Sequence, residues 1–82
     1  MMNIFVSRLN TSTKSDDLLQ VFGTFGTVSS AKVTMDNVTG RSRGFGFVEM
    51  ESDDEGQNAI QELHNSELNG RTITVKRAPS RV

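Results

Sequence analysis

The chain has 82 residues, of which nine are Lys or Arg, ten are Asp or Glu and one is His, so its formal charge is −1. This length allows one small domain, which we expect to span residues 1–82, and the charge argues against a simple polycationic nucleic-acid binder. The absence of cysteine excludes disulfides and thiolate metal sites, and the single histidine argues against a His-based metal cage.

A strand, a helix and a second strand are predicted for the first half of the chain. Residues 2–7 are apolar and rich in strand formers, which suits a buried strand. Thr13 followed by Asp16 resembles a capping box at the start of a helix. Apolar side chains then recur at helical spacing up to Gly26, namely Leu18, Leu19, Phe22 and Phe25, of which we expect Phe22 and Phe25 to lie in the core. Residues 27–35 have the pattern of a second strand.

The second half predicts a strand, a helix and a final strand. Residues 44–50 form a third strand that carries two interior glycines. A second capping box, Ser52 with Glu55, starts a helix with apolar residues on one face. An Asn-Gly turn signal at 69–70 precedes residues 71–77, which alternate as a fourth strand.

The predicted order of elements is therefore β-α-β-β-α-β. This order favours an α+β, ferredoxin-like fold, in which two helices pack on one face of a four-stranded antiparallel sheet of order 4-1-3-2. The other face of the sheet stays open, and we expect function to lie there.

Side chains alternate between the two faces of a strand, so the position of each residue indicates its face. Eight apolar residues suit the helix-covered core: Ile4, Val6, Ala31, Val33, Val48, Met50, Ile73 and Val75. Their neighbours then point to the open face: Asn3, Phe5, Ser7, Lys32, Thr34, Phe45, Phe47, Glu49, Thr72, Thr74 and Lys76.

Three phenylalanines thus stand on a face that no helix covers, Phe5, Phe45 and Phe47, with lysines on the flanking strands. A large exposed apolar patch marks a binding surface. Aromatic rings among cations suit unstacked nucleobases, at about 1–3 kcal/mol of stacking per base, and three rings would hold roughly two or three nucleotides. The missing side chains of Gly44 and Gly46 would let the backbone and the helices pack tightly behind the rings.

The charges are unevenly distributed along the chain. Residues 51–67 contain six acidic residues and no Lys or Arg. The remainder has nine basic against four acidic residues, a balance of +5. A near-zero net charge therefore hides a basic remainder, and the second helix would hold most of the acids on the far side from the rings.

Two motifs resemble those of the RNA recognition motif (RRM) family. Residues 4–9, Ile-Phe-Val-Ser-Arg-Leu, are similar to its RNP hexamer, and residues 43–50, Arg-Gly-Phe-Gly-Phe-Val-Glu-Met, to its RNP octamer. The likeness covers essentially the whole chain. It departs from the family pattern at Arg8, where the hexamer usually has Asn, and at Met50, which replaces the last aromatic of the octamer.

The resemblance implies that single-stranded RNA lies across the sheet, with single-stranded DNA as a weaker partner. It implies one base on Phe5, one on Phe45, Phe47 between sugars, and Arg43 on a backbone phosphate. The segment from Arg77 to Arg81 would help to grip the RNA. The candidate RNA-binding residues are Asn3, Phe5, Arg8, Lys32, Arg41, Arg43, Phe45, Phe47, Thr74, Lys76 and Arg77.

Two alternatives share part of this pattern. Some RRM-like domains bind proteins through the helix face or the sheet aromatics. Small acyl-phosphate hydrolases with the same order of elements hold phosphate with an Arg after the first strand, where Arg8 lies, but residues 9–12 lack a glycine-rich phosphate loop. We therefore expect a binding module without catalysis, cofactor or metal, and a protein-binding module is the alternative.

The sequence also bears on location. No apolar run reaches the ~18–20 residues that a membrane span needs, and the N-terminus lacks a signal-peptide pattern. We expect a soluble, monomeric, cytoplasmic protein similar to the standalone bacterial RRM proteins, or a nuclear one if the chain is a domain excised from a eukaryotic protein.

Overall fold

A computed structural model describes residues 1–79 of the chain, and the RNA contact predicted for Arg81 lies outside the described residues. Two helices and six strands follow one another in the order β1 (Met2–Ser7), α1 (Ser15–Gly23), β2 (Val28–Met35), β3 (Ser42–Met50), α2 (Asp53–Leu63), β4 (Glu67–Leu68), β5 (Arg71–Thr72) and β6 (Thr74–Arg77). Neither helix in this part of the chain is long and apolar enough to cross a membrane.

The main sheet has four antiparallel strands in the order β2-β3-β1-β6. Because β6 is the last long strand of the chain, this order is the predicted 4-1-3-2. Both helices pack against this sheet, α1 mainly on β2 and α2 on β6 and β1. The ferredoxin-like βαββαβ fold is confirmed.

The predicted fourth strand is divided into two. Asn69 and Gly70 both have positive φ, 52° and 82°, which is the conformation of a tight hairpin turn that joins β4 to β5. The N–H of Ile73 donates to the carbonyl of Ser66 at 2.9 Å and so extends this ribbon by one residue. Pairing with β1 begins only at Thr74, because the backbone groups of residues 71–73 are hydrogen-bonded within the hairpin.

The predicted capping box at Thr13 and Asp16 is wrong by one residue. The backbone N–H of Lys14 donates to the Asp17 carboxylate at 2.9 Å, so Lys14 is the N-cap of α1. Thr13 is buried instead, and its hydroxyl accepts a hydrogen bond from the side-chain amide of Asn69 at 2.9 Å. Since Thr13 anchors the β4–β5 turn, it is not available as a cap.

The end of α1 also differs from the prediction. Helix α1 ends at Gly23, three residues before the predicted stop at Gly26. Helix α2 starts as predicted, because the Ser52 hydroxyl accepts a hydrogen bond from the N–H of Glu55 at 3.3 Å.

The core lies between the sheet and the helices, and side-chain alternation predicted its members. Seven of the eight residues expected to face inward are buried, and the eighth, Ala31, is half-buried against them. Met50 is fully buried, so the departure from the octamer pattern at this position changes core packing. Phe22 is also buried and Phe25 packs partly buried against the same cluster, which confirms that these two phenylalanines build the core.

The single histidine joins α2 to the main sheet. His64 is the C-cap residue of α2, and its Nδ1 accepts a hydrogen bond from the backbone N–H of Val75 in β6 at 3.1 Å. This bond satisfies a donor on β6, which is an edge strand of the sheet.

We expect His64→Ala to lower the free energy of unfolding by about 1 kcal/mol, because the Val75 N–H loses its partner. Urea-induced unfolding followed by circular dichroism measures this change. Gln61→Ala removes an exposed side chain from the same helix and is expected to leave the midpoint almost unchanged. Equal midpoints for the two variants would show that the imidazole hydrogen bond contributes nothing.

Candidate nucleic-acid interface

The register of the main sheet sets four side chains side by side across its open face. Phe5 in β1 lies opposite Phe47 in β3, and the outer neighbours of this pair are Lys76 in β6 and Lys32 in β2. The resulting lateral row, Lys32–Phe47–Phe5–Lys76, is called the aromatic row below. It places two rings at the centre of the sheet and a cation at each edge.

Phe45 completes a cluster of three rings. Its ring centroid lies 5.8 Å from that of Phe5 and 6.5 Å from that of Phe47, and the Phe5 and Phe47 centroids are 5.3 Å apart. Each ring is half-buried because it packs against the other two, and no helix covers them. Ser7 lies beside Phe45 and Thr74 beside Ser7, so Thr74 stands in the row next to the aromatic row.

A polar row lies on the other side of the aromatic row. Asn3, Glu49 and Ser30 are opposite one another in β1, β3 and β2. The chain after β6 borders this row, because the N–H of Ala78 donates to the carbonyl of Asn3 at 2.8 Å. Together with Phe47, Lys32 and Pro79, these residues line a groove of about 570 Å³.

The groove contains functional candidates that sequence reasoning missed. Three residues of its lining, Asn3, Lys32 and Phe47, are among the predicted site residues. Alternation places Glu49 on the open face but gives it no role, and the sequence gives no role to Ser30. Pro79 belongs to the segment from Arg77 to Arg81 that the resemblance implies in RNA binding. The register shift in β2 between Val28 and Ser30 hides the position of Ser30, whereas an acidic residue two positions after Phe47 is a signal that the sequence does contain.

Comparison with known proteins decides the family. Residues 4–74 match the profile of the RNA recognition motif. The chain belongs to the RNA recognition motif family. In this RRM the first four residues of the hexamer lie in β1 and the octamer lies in β3, and the pairing of these two strands brings their three phenylalanines together.

Two relatives extend this likeness. The glycine-rich RNA-binding protein 4, mitochondrial, of Arabidopsis thaliana is 47% identical over 78 residues, covering 95% of this chain and 57% of that protein. RbpE of Nostoc sp. is 45% identical over 80 residues, covering 98% of this chain and 81% of that protein. The RRM spans about half the length of the plant relatives that it matches.

Solved structures agree with the fold. The crystal structure of RNA binding protein PG1 has a TM-score of 0.96 and 46% identity, and the match covers 100% of this chain and 99% of that one. The Sxl-lethal protein/RNA complex has a TM-score of 0.88 and 32% identity, over 94% of this chain and 47% of that one.

The predicted cations of the RRM occupy different parts of its surface. Lys32 and Lys76 are exposed at the ends of the aromatic row. Arg77 lies opposite Ile4, on the side of the sheet that faces the helices, so the structure does not bring it to the rings. Arg41 is exposed in the loop before β3, and Arg43 is exposed at the start of β3.

The β2–β3 loop is held by Asp36. Its carboxylate accepts hydrogen bonds from the backbone N–H groups of Val38 at 2.7 Å and Thr39 at 3.2 Å. These bonds, with a smaller attraction from Arg43, hold the pKa of Asp36 below its ordinary value of 3.8. The backbone N–H of Asp36 also donates to the carbonyl of Arg41 at 2.7 Å, so the backbone and the carboxylate of Asp36 together order the loop that carries this arginine.

Gly46 controls the approach of β2 to β3. A Cβ at this position would lie 2.5 Å from the carbonyl oxygen of Lys32 and 3.0 Å from the Cα of Val33. The missing side chain therefore lets the backbones of two strands approach one another. This confirms the expected close approach of the backbone at Gly46, and the three nearest atoms belong to β2 and not to a helix.

Two backbone donors of the loop after β1 are used within the fold. The N–H of Leu9 donates to the carbonyl of Gly44 at 2.8 Å, and the N–H of Ser12 donates to the side chain of Asn10 at 3.0 Å. The N–H groups of Leu9 and Ser12 are therefore not available to an anion. Among residues 1–79, moreover, no group of three or more His, Asp or Glu is placed to hold a metal.

Arg8 has an unusual backbone conformation. Its φ is +60°, in the left-handed region, and its side chain is exposed. This conformation costs about 1–2 kcal/mol of free energy for residues other than Gly, Asn or Asp. The family's Asn at this hexamer position fits the same backbone without that cost, which gives a physical reason for the family preference.

We expect Arg8→Asn and Arg8→Gly each to raise the free energy of unfolding by about 1 kcal/mol, because both residues tolerate a positive φ. Arg8→Lys keeps the charge and the Cβ atom and is expected to change little. Urea-induced unfolding measures all three variants, and the strain at Arg8 is refuted if they unfold at the same midpoint.

Proposed function

We propose that this RRM is a non-catalytic module that binds single-stranded RNA across the open face of its main sheet. The observation that carries the proposal is the aromatic row, in which two rings lie between two lysines. Bases stack on ring faces while phosphates are attracted to cations, so this row fits a strand that crosses the sheet from edge to edge.

Relatives support RNA as the ligand. The Arabidopsis relative is named an RNA-binding protein, and the Sxl-lethal structure is a protein/RNA complex. The rings that RNA would need are all present here, in a cluster that neither helix covers. A weaker affinity for single-stranded DNA, a monomeric state, a cytoplasmic location and a single domain over residues 1–82 stay predictions.

The distribution of charge favours the same face. Six of the ten acidic residues lie in residues 51–67, which include α2. Four of them lie in α2 itself, and because α2 packs on the helix side of the sheet, these four carboxylates are separated from the rings by the thickness of the sheet. Phosphates on the open face would meet Lys32 and Lys76 first.

We also propose specific roles for the rings. Phe5 takes one base. The family resemblance implies the second base on Phe45, but the geometry favours Phe47, which stands between Phe5 and Lys32 and borders the groove. We therefore propose that Phe47 stacks on the second base and that Phe45 contacts sugars.

The remaining candidates are assigned to the backbone and to the ends of the strand. Arg43 contacts a phosphate, and the ordered loop presents Arg41 beside it. Asn3 and Thr74 flank the aromatic row on its two sides and offer hydrogen bonds to the nucleotides there. Arg8 adds a contact at the end of β1, and Arg77 supplies only long-range attraction.

Removal of a stacking ring is expected to weaken RNA binding strongly. We expect Phe5→Ala and Phe47→Ala each to cost about 1–3 kcal/mol of binding free energy, and Phe45→Ala to cost less. Fluorescence anisotropy with a labelled pool of single-stranded RNA at low salt measures these affinities.

Leu19→Ala is the matched control, because Leu19 is an exposed apolar residue on α1, away from the open face. It is expected to bind RNA like the wild type. The sheet-face proposal fails if the wild type does not bind RNA, or if a Phe45→Ala/Phe47→Ala double variant binds equally well. A larger loss for Phe45→Ala than for Phe47→Ala would restore the roles that the resemblance implies.

Salt dependence tests the phosphate contacts. Each phosphate neutralised on a single strand contributes about 0.7 to the slope of log affinity against log salt. We expect Lys32→Gln and Lys76→Gln each to reduce the slope by about this amount, whereas Lys14→Gln at the N-terminus of α1 leaves it unchanged. A flat salt response of the wild type would instead favour a protein partner.

A further inference from the structure

Glu49 places a negatively charged side chain on the face that is proposed to bind a polyanion. Among the described residues, it is the only acidic residue in the four strands of the main sheet. It lies on the open face, two positions along β3 from Phe47, and between Asn3 and Ser30 in the polar row. A carboxylate here repels phosphates, so it weakens general RNA binding.

The structure gives this carboxylate no internal role. Neither a hydrogen bond nor an ion pair joins it to any residue in the described range 1–79. The side chains of Asn3 and Ser30 likewise have no hydrogen-bond partner there. Three adjacent polar side chains therefore present unused donors and acceptors to the groove beside the aromatic row.

The position fits the edge of a base. Residues two apart on one face of a strand are separated by about 7 Å, so a base next to Phe47 can turn its edge towards Glu49. The groove of about 570 Å³ has room for a base, with Pro79 and Ala78 forming one border. Edges of unstacked bases in single-stranded RNA are open to hydrogen bonding.

The chemistry of a carboxylate selects among the four bases. An ionised Glu only accepts hydrogen bonds, and its two oxygens can accept two parallel ones. Guanine offers two adjacent donors on its Watson–Crick edge, N1–H and the exocyclic N2 amino group. Adenine and cytosine offer one amino group beside a ring acceptor, and uracil offers one N–H between two carbonyl oxygens that the carboxylate repels.

We infer that Glu49 makes this RRM selective for guanine at the position beside Phe47, by accepting two hydrogen bonds from the guanine edge. This inference rests on the proposed RNA-binding function. It explains a carboxylate that has no partner among residues 1–79, because the negative charge disfavours every nucleotide that does not offer two hydrogen-bond donors. Asn3 and Ser30 border the same base and can bond its remaining polar atoms.

The test compares labelled octamers of uridine with the same octamer carrying one central guanosine or one central inosine. Inosine keeps the N1–H donor and lacks the amino group. We expect the wild type to bind the guanosine octamer about tenfold tighter than the uridine octamer, with inosine in between. We expect Glu49→Gln to lose this preference and to bind the uridine octamer as well as the wild type or better.

Glu62→Gln is the matched control, since it removes the same charge from exposed helix α2 and is expected to keep the guanosine preference. The inference is overturned if the wild type binds all three octamers equally while Phe47→Ala weakens all of them. It is also overturned if Glu49→Gln strengthens all three equally and keeps the preference. Absence of binding to every octamer would instead overturn the proposed RNA-binding function as well.

Discussion

The pairing of β1 with β3 is the constraint on which the rest of the molecule depends. In this register Ile4 lies opposite Val48 on the core side, and Phe5 lies opposite Phe47 on the open side. Because side chains alternate, a slip of one residue in one strand would bury a phenylalanine and expose an aliphatic side chain. The hydrophobic core therefore fixes the binding surface, and no separate interaction is needed to bring the rings together.

Much of this arrangement could be predicted because it follows from alternation and from strong local signals. The faces of Phe5, Phe45 and Phe47 depend only on which neighbouring residues are apolar, and the core confirms that pattern. The division of the fourth strand could not be predicted in the same way. Residues 71–77 alternate throughout, and only the hydrogen bonds of the hairpin show where pairing with β1 begins.

Other features depend on tertiary contacts between distant residues. Thr13 is a residue type that often caps helices. Here its hydroxyl accepts a hydrogen bond from Asn69, 56 residues later, instead of capping α1. Arg77 continues the basic end of the chain, yet its register opposite Ile4 turns it away from the rings. The groove also depends on a tertiary contact, because one of its borders is the chain after β6, which is hydrogen-bonded to the backbone of Asn3.

Charge placement, more than net charge, decides what this surface can bind. The −1 total combines acids concentrated around α2 with cations at the edges of the aromatic row. The same separation makes Glu49 exceptional, since within the described part of the chain it is the only acidic residue in the strands of the main sheet. Rings and lysines attract any single strand, because every base has a face and every phosphate a charge. Discrimination needs a group that disfavours most nucleotides and favours one. A half-buried carboxylate that has no hydrogen-bond or ion-pair partner among residues 1–79 has that property.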